Sequence, residues 1–121
     1  MPYIAHNLSQ YVGQSVGTGQ CVAYVQQAAR APFTGRWRAG IQVMRANPGT
    51  IARGTVIATM VDGTYPNHAH GNHAAIYLSH DAAGIYVQDQ WTGHPVSPRL
   101  IHARSASGNA SNNANAFFVV E

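Results

Sequence analysis

Residues 73–91 read HAAIYLSHDAAGIYVQDQW. Two runs rich in β-branched and aromatic residues, 73–79 and 84–91, flank a short polar connection from His80 to Ala83. That pattern predicts an antiparallel hairpin. Alternation puts His73, Ala75 and Tyr77 on one face of the first strand, and Ile85, Val87, Asp89 and Trp91 on one face of the second. With the turn centred on Asp81, His73 lies directly across from Asp89, at a Cβ separation of about 4.5–5.5 Å. A carboxylate there can hold one imidazole nitrogen. Gln88 and Gln90 point the other way, so Asp89 is the natural partner, and a slip of one residue would break the pair.

Working outward, Gly54–Val61 (GTVIATMV) reads as a strand and 62–72 (DGTYPNHAHGN) as a loop. Further upstream, Cys21–Arg30 (CVAYVQQAAR) reads as a helix with Val25, Ala28 and Ala29 on an apolar stripe, stopped by Pro32. The polar, Gly-rich first 19 residues read as a loop, and Gly40–Met44 as a short helix or packing turn. Downstream, 92–99 reads as a loop, Leu100–Arg104 as a strand, the Ser/Asn-rich 105–115 as turns, and Ala116–Val120 as a final strand. Helix first, then a small antiparallel sheet, is an α+β pattern. The length of 121 residues fits one domain over 1–121.

Only 9% of residues are charged, and the formal net charge is +3. All seven basic residues are arginines, scattered rather than clustered with aromatics, which argues against nucleic-acid binding. No apolar run approaches the length of a membrane span. The opening MPYIAHNLSQ lacks the pattern of a signal peptide, so synthesis in the cytoplasm without ordinary secretion is expected.

Cys21 is the single cysteine, so no internal disulfide is expected. A lone cysteine is by itself more often a small buried hydrophobe than a nucleophile. Here it falls in the first turn of a helix, where unpaired backbone N–H groups and the helix dipole stabilise a thiolate. Together with His73 as base and Asp89 as orienter it composes a Cys–His–Asp site, needing no cofactor or metal. The Cys21 N–H, with an amide from Gln14 or Gln20, could form an oxyanion hole. Tyr11 could wall the site and Trp91 could line its groove. Two other readings stand beside this one. His68, His70 and His73, with Asp62 or Asp89, could make a zinc hydrolase. A non-catalytic wall-binding module on a hydrolase scaffold would leave Cys21 unexposed.

The segment Gly19–Val25 (GQCVAYV) resembles the nucleophile segment of CHAP amidases, and Gly71–Leu78 (GNHAAIYL) their histidine strand. Gly54–Ala58 looks like the strand that precedes that histidine in the NlpC/P60 and papain-like peptidases, and Asp89 falls at their third polar position. Among these the chain resembles the small amidase effectors of bacterial type VI secretion, most of all their third family. The resemblance implies a papain-like core and hydrolysis of amides in peptidoglycan stems or cross-links. It also implies delivery to the periplasm of a target bacterium and a cognate immunity protein as partner.

Overall fold

The computed structural model describes residues 1–66, 68, 71–104 and 109–121. The predicted hairpin lies within a six-stranded sheet. Its strands are β1 (Ala39–Gln42), β2 (Val56–Thr59), β3 (Ala74–Asp81), β4 (Gly84–Trp91), β5 (His94–His102) and β6 (Phe117–Val120). They lie in the order β1-β6-β2-β3-β4-β5, with every neighbouring pair antiparallel. Among the described residues a single α-helix, α1 (Cys21–Ala29), accompanies them and packs on β3 and β4.

This balance corrects the expected α+β, papain-like architecture. The fold is predominantly β, a six-stranded antiparallel sheet with one nine-residue helix. The sheet is buried on both faces. On the α1 side, Tyr24, Val25 and Ala29 pack with Val56, Ala58, Ala74 and Ile76. On the other, Ile57, Ala75, Tyr77, Ile85, Val87, Ile101 and Phe117 form a second core, closed by Val43 and Ala114 from short 3-10 turns. A strand buried on both faces reads as a continuous apolar run. The four buried residues of β2 and the first four of β3 are such runs.

The hairpin register also differs from the expected one. The turn is Ala82–Ala83, with Asp81 paired to Gly84. Oδ1 of Asp81 accepts a hydrogen bond from the Ala83 N–H at 2.9 Å. Gly84 takes φ +151°, and a Cβ there would collide with the Ile101 carbonyl of β5. Between Tyr77 and Ser79 the register shifts, leaving Leu78 without a partner, a β-bulge. Beyond it Tyr77 faces Val87 and Ile76 faces Gln88, so continuing by one sets Asp89 opposite Ala75. His73 is therefore the diagonal neighbour of Asp89, not its direct opposite. The offset of two keeps both on one face.

Three further elements depart from expectation. Residues 94–102 form one long strand that includes Pro95 and Pro98, where a strand was expected only over Leu100–Arg104. β5 is an edge strand, where a missing N–H breaks no ladder. Ala39–Gln42 forms a strand with β6 rather than a helix or turn. Leu8–Tyr11 makes a 3-10 turn within the expected N-terminal loop. Helix α1 ends as predicted near Pro32, with Arg30 in the left-handed conformation (φ 57°) as its cap. No helix among the described residues is long and apolar enough to cross a membrane.

Candidate active site

Cys21 is the first residue of α1, and Gln20 caps the helix with extended backbone and no side-chain cap bond. The helix-start N–H groups are thus not taken by that side chain. The loop before it is held by Gln90, which is 0% exposed. The Gln90 amide donates to the carbonyls of Val16 (2.9 Å) and Gln20 (2.8 Å), and its oxygen accepts from the Val16 N–H (2.8 Å). This fixes the Gln20 carbonyl, and with it the plane of the peptide that carries the Cys21 N–H. Gln88, on the same face, accepts from the Tyr24 hydroxyl of α1 at 3.2 Å. Alternation along β4 thus sends Gln88 and Gln90 toward the helix and Asp89 away from it.

His73 immediately precedes β3 and is tied to β2. Its N–H donates to Thr59 Oγ1 (3.0 Å) and its carbonyl accepts from the Thr59 N–H (2.9 Å). Its Nε2 donates to Asp89 Oδ2 at 2.6 Å, which leaves Nδ1 for the cleft that His73 shares with Cys21. Asp89 is 0% exposed, and Arg99 holds it from the other side. Arg99 Nε lies 3.0 and 2.8 Å from the two carboxylate oxygens and a terminal nitrogen 2.8 Å from Oδ2. The Arg99 guanidinium also lies over the Trp91 ring, 4.9 Å from its centre.

These contacts set the charges. Burial alone would raise Asp89, but hydrogen bonds and charge from His73 and Arg99 hold its carboxyl below the ordinary range. Burial would lower His73, yet Asp89 and the Cys21 thiolate bring it up to about 9. Burial would raise Cys21, but His73, the Ala74 backbone and the Tyr65 hydroxyl bring it below its ordinary value. Each shift favours the charged form of its partner, a thiolate beside an imidazolium.

Cys21 and His73 open into a cleft of about 850 Å³ that Gln20, Tyr65, Asn72, Trp91 and Arg99 also line. Its other walls include His68, Ser111 and Asn112, and among the described residues no carboxylate lines it. Gln20 and Trp91 therefore stand where the expected site residues were placed. Gln14 and Tyr11 do not line the cleft. The exposed Gln14 amide donates to the Gln10 carbonyl (2.9 Å), and Tyr11 packs edge-on against Tyr24 (5.7 Å) beside a separate cavity of about 430 Å³. Of the zinc alternative, His70 lies outside the described residues. Among the described residues no three His, Cys, Asp or Glu groups converge. Asp62 is exposed in a turn, and Asp89 already holds the His73 Nε2.

Arg99, Tyr65, Asn72 and Gln90 were not singled out by the sequence. Arg99 was hidden because 92–99 read as a loop. Once β5 begins at His94, Asp89 faces Ser97 and Val87 faces Arg99, so alternation brings Arg99 to the Asp89 face. The Ser/Asn-rich stretch contributes Ser111 and Asn112 as cleft wall, braced by Asn109 and Asn113 accepting from the N–H groups two residues on.

Known proteins resemble this chain along nearly all its length. A family model described as domesticated amidase effector 2 matches residues 2–120. A type VI secretion amidase effector 2 protein of Salmonella typhi is 38% identical over 135 residues, covering 100% of both chains. Domesticated amidase effector 2 of Ixodes scapularis is 36% identical over 105 residues, covering 84% of this chain and 70% of that one. A solved structure of type 6 secretion amidase effector 2 superposes with a TM-score of 0.85 at 38% identity, covering 98% of this chain and 94% of that one. These matches correct the expected affiliation with the third effector family and with the NlpC/P60 and CHAP fold. The relatives are second-family effectors, and the architecture is a sheet with a single helix. The chain belongs to the domesticated amidase effector 2 family, an amidase effector lineage.

Proposed function

We propose that this chain is a cysteine amidase, a single catalytic domain that hydrolyses an amide in the peptide stems or cross-links of peptidoglycan. The observation that carries the reading is the run from half-buried Arg99 through buried Asp89 and His73 to a partly exposed Cys21 in an open cleft. The Cys21 thiolate attacks the amide carbonyl carbon, forming the C–S bond and an oxyanion. N–H groups at the start of α1, with the Gln20 amide beside them, receive that charge. The imidazolium of His73 gives its Nδ1 proton to the leaving amine, and the C–N bond breaks. Neutral His73 then takes a proton from water, whose hydroxide attacks the thioester and regenerates Cys21. Asp89 holds Nε2–H throughout, so the tautomer stays fixed.

The relatives named as type VI secretion effectors support delivery of this chain by a secretion apparatus to the periplasm of a target cell. An immunity protein that blocks the cleft is the expected partner. The test is digestion of purified peptidoglycan by the wild type and by Cys21→Ala, with the fragments identified by mass. Wild-type protein should release new amines, thiol alkylation should abolish release, and a chelator should leave it unchanged. A Cys21→Ala variant as active as the wild type would overturn the reading.

A further inference from the structure

Tyr65 has no part in the mechanism above, yet it sits against the nucleophile. It lies in a stretch, DGTYPNHAHGN, whose composition is that of a solvated loop. Its ring is nevertheless only 8% exposed and stands edge-on to the buried Trp37, with centres 5.1 Å apart. Its hydroxyl accepts from the Asn72 amide Nδ2 at 3.4 Å, and the residue lines the same cleft as Cys21, whose thiol it helps to hold below its ordinary value.

The inventory of a phenol decides what these contacts mean. A tyrosine hydroxyl has one proton to give and lone pairs to receive. The Asn72 N–H occupies a lone pair, so the proton remains for the sulfur. Asn72 Oδ1 is buried without a hydrogen-bond partner among the described residues, so it does not draw the phenol proton away. Asn72 directly precedes His73, whose backbone is pinned to Thr59. The strand entrance that aims the imidazole therefore also aims the amide that orients Tyr65.

Resting on the cysteine-nucleophile reading, we propose that Tyr65 is a catalytic residue whose O–H, oriented by Asn72, donates to the Cys21 sulfur and then to the oxyanion. No proton is transferred by Tyr65 in this step. As the C–S bond forms, negative charge leaves the sulfur and appears on the carbonyl oxygen bound to the same carbon, and the hydrogen bond follows it. A donor that served only the resting thiolate would stabilise the ground state and slow attack, so its contribution to rate lies in that transfer. Asn72 is a positioning residue: it acts through Tyr65.

The test uses the full chain with Tyr65→Phe, which keeps the ring against Trp37, and Asn72→Leu. Two readouts are taken: the pH dependence of Cys21 alkylation by iodoacetamide, and kcat and KM on peptidoglycan fragments. Tyr65→Phe should move the thiolate titration up by about one unit. It should lower kcat about 10- to 100-fold, with KM within about twofold. Asn72→Leu should shift both in the same direction by less. Wild-type alkylation and kcat in Tyr65→Phe, with Cys21→Ala inactive, would overturn the Tyr65 role and leave the nucleophile intact. An active Cys21→Ala would instead remove the reading beneath it. Should Tyr65→Phe unfold, Asn72→Leu decides by the same readouts, and an unchanged profile there overturns the proposal.

Discussion

Asp89 is the residue on which the charges of the site balance. It accepts from a neutralising cation on one side and from a titrating imidazole on the other. With His73 raised to about 9 from an ordinary 6.5, the proton on its ring is retained through neutrality. Because the folded value is the higher one, the stabilisation it brings is complete below about 6.5 and is lost as pH rises through 9. The proton needed by the leaving amine disappears over the same upper limb. A profile of kcat/KM against pH should therefore fall above about 9. Asp89→Asn removes the charge that holds the proton, so this limb should move down toward the ordinary imidazole range. An upper limb that stays in place in Asp89→Asn would show that something else sets it.

At the scale of elements, the β3–β4 hairpin and its bulge organise the site. In a regular strand, residues three apart face opposite ways. The extra residue at Leu78 turns Tyr77 and His80 to one face, where the Tyr77 hydroxyl donates to His80 Nδ1 at 2.6 Å and His80 Nε2 donates to the Ala46 carbonyl at 2.8 Å. Both residues are buried. Tyr77→Phe leaves that nitrogen buried without a donor, which should cost about 1–3 kcal/mol in chemical unfolding. A variant as stable as the wild type would mean that the pair does not hold the bulge. The hairpin itself was legible from its two apolar runs and its short polar turn. The bulge was not, because nothing in the alternation marks which residue will be left unpaired. The pairing of His73 with Asp89 was legible only as a shared face, and the two-residue offset depended on that bulge. β5 was obscured by prolines whose tolerance depends on being at an edge, a fact of the whole sheet rather than of the segment.

On the scale of the whole molecule, the strand order separates what is rigid from what is exposed. The class of the fold was misjudged because local runs give the helix and strands but not how many strands join one sheet, nor that both its faces are covered. β2 and β3 have hydrogen-bonded strands on either side, whereas β1 and β5 lie at the edges. Opening free energies vary across a fold in just this way. In deuterated water the amides of Ile57, Ala58, Ala75 and Ile76 should exchange slowest, at the rate of global unfolding. Those of exposed Gly17 and Thr18, in the loop that leads into Cys21, should exchange among the fastest, and equal rates for the two groups would contradict this order. The imidazole thus enters the cleft from the slowest-exchanging part of the chain, and the thiol from the end of one of the quickest. A peptide held in the cleft should consequently be recorded as slowed deuterium uptake at residues 17–21, with the central strands showing no change.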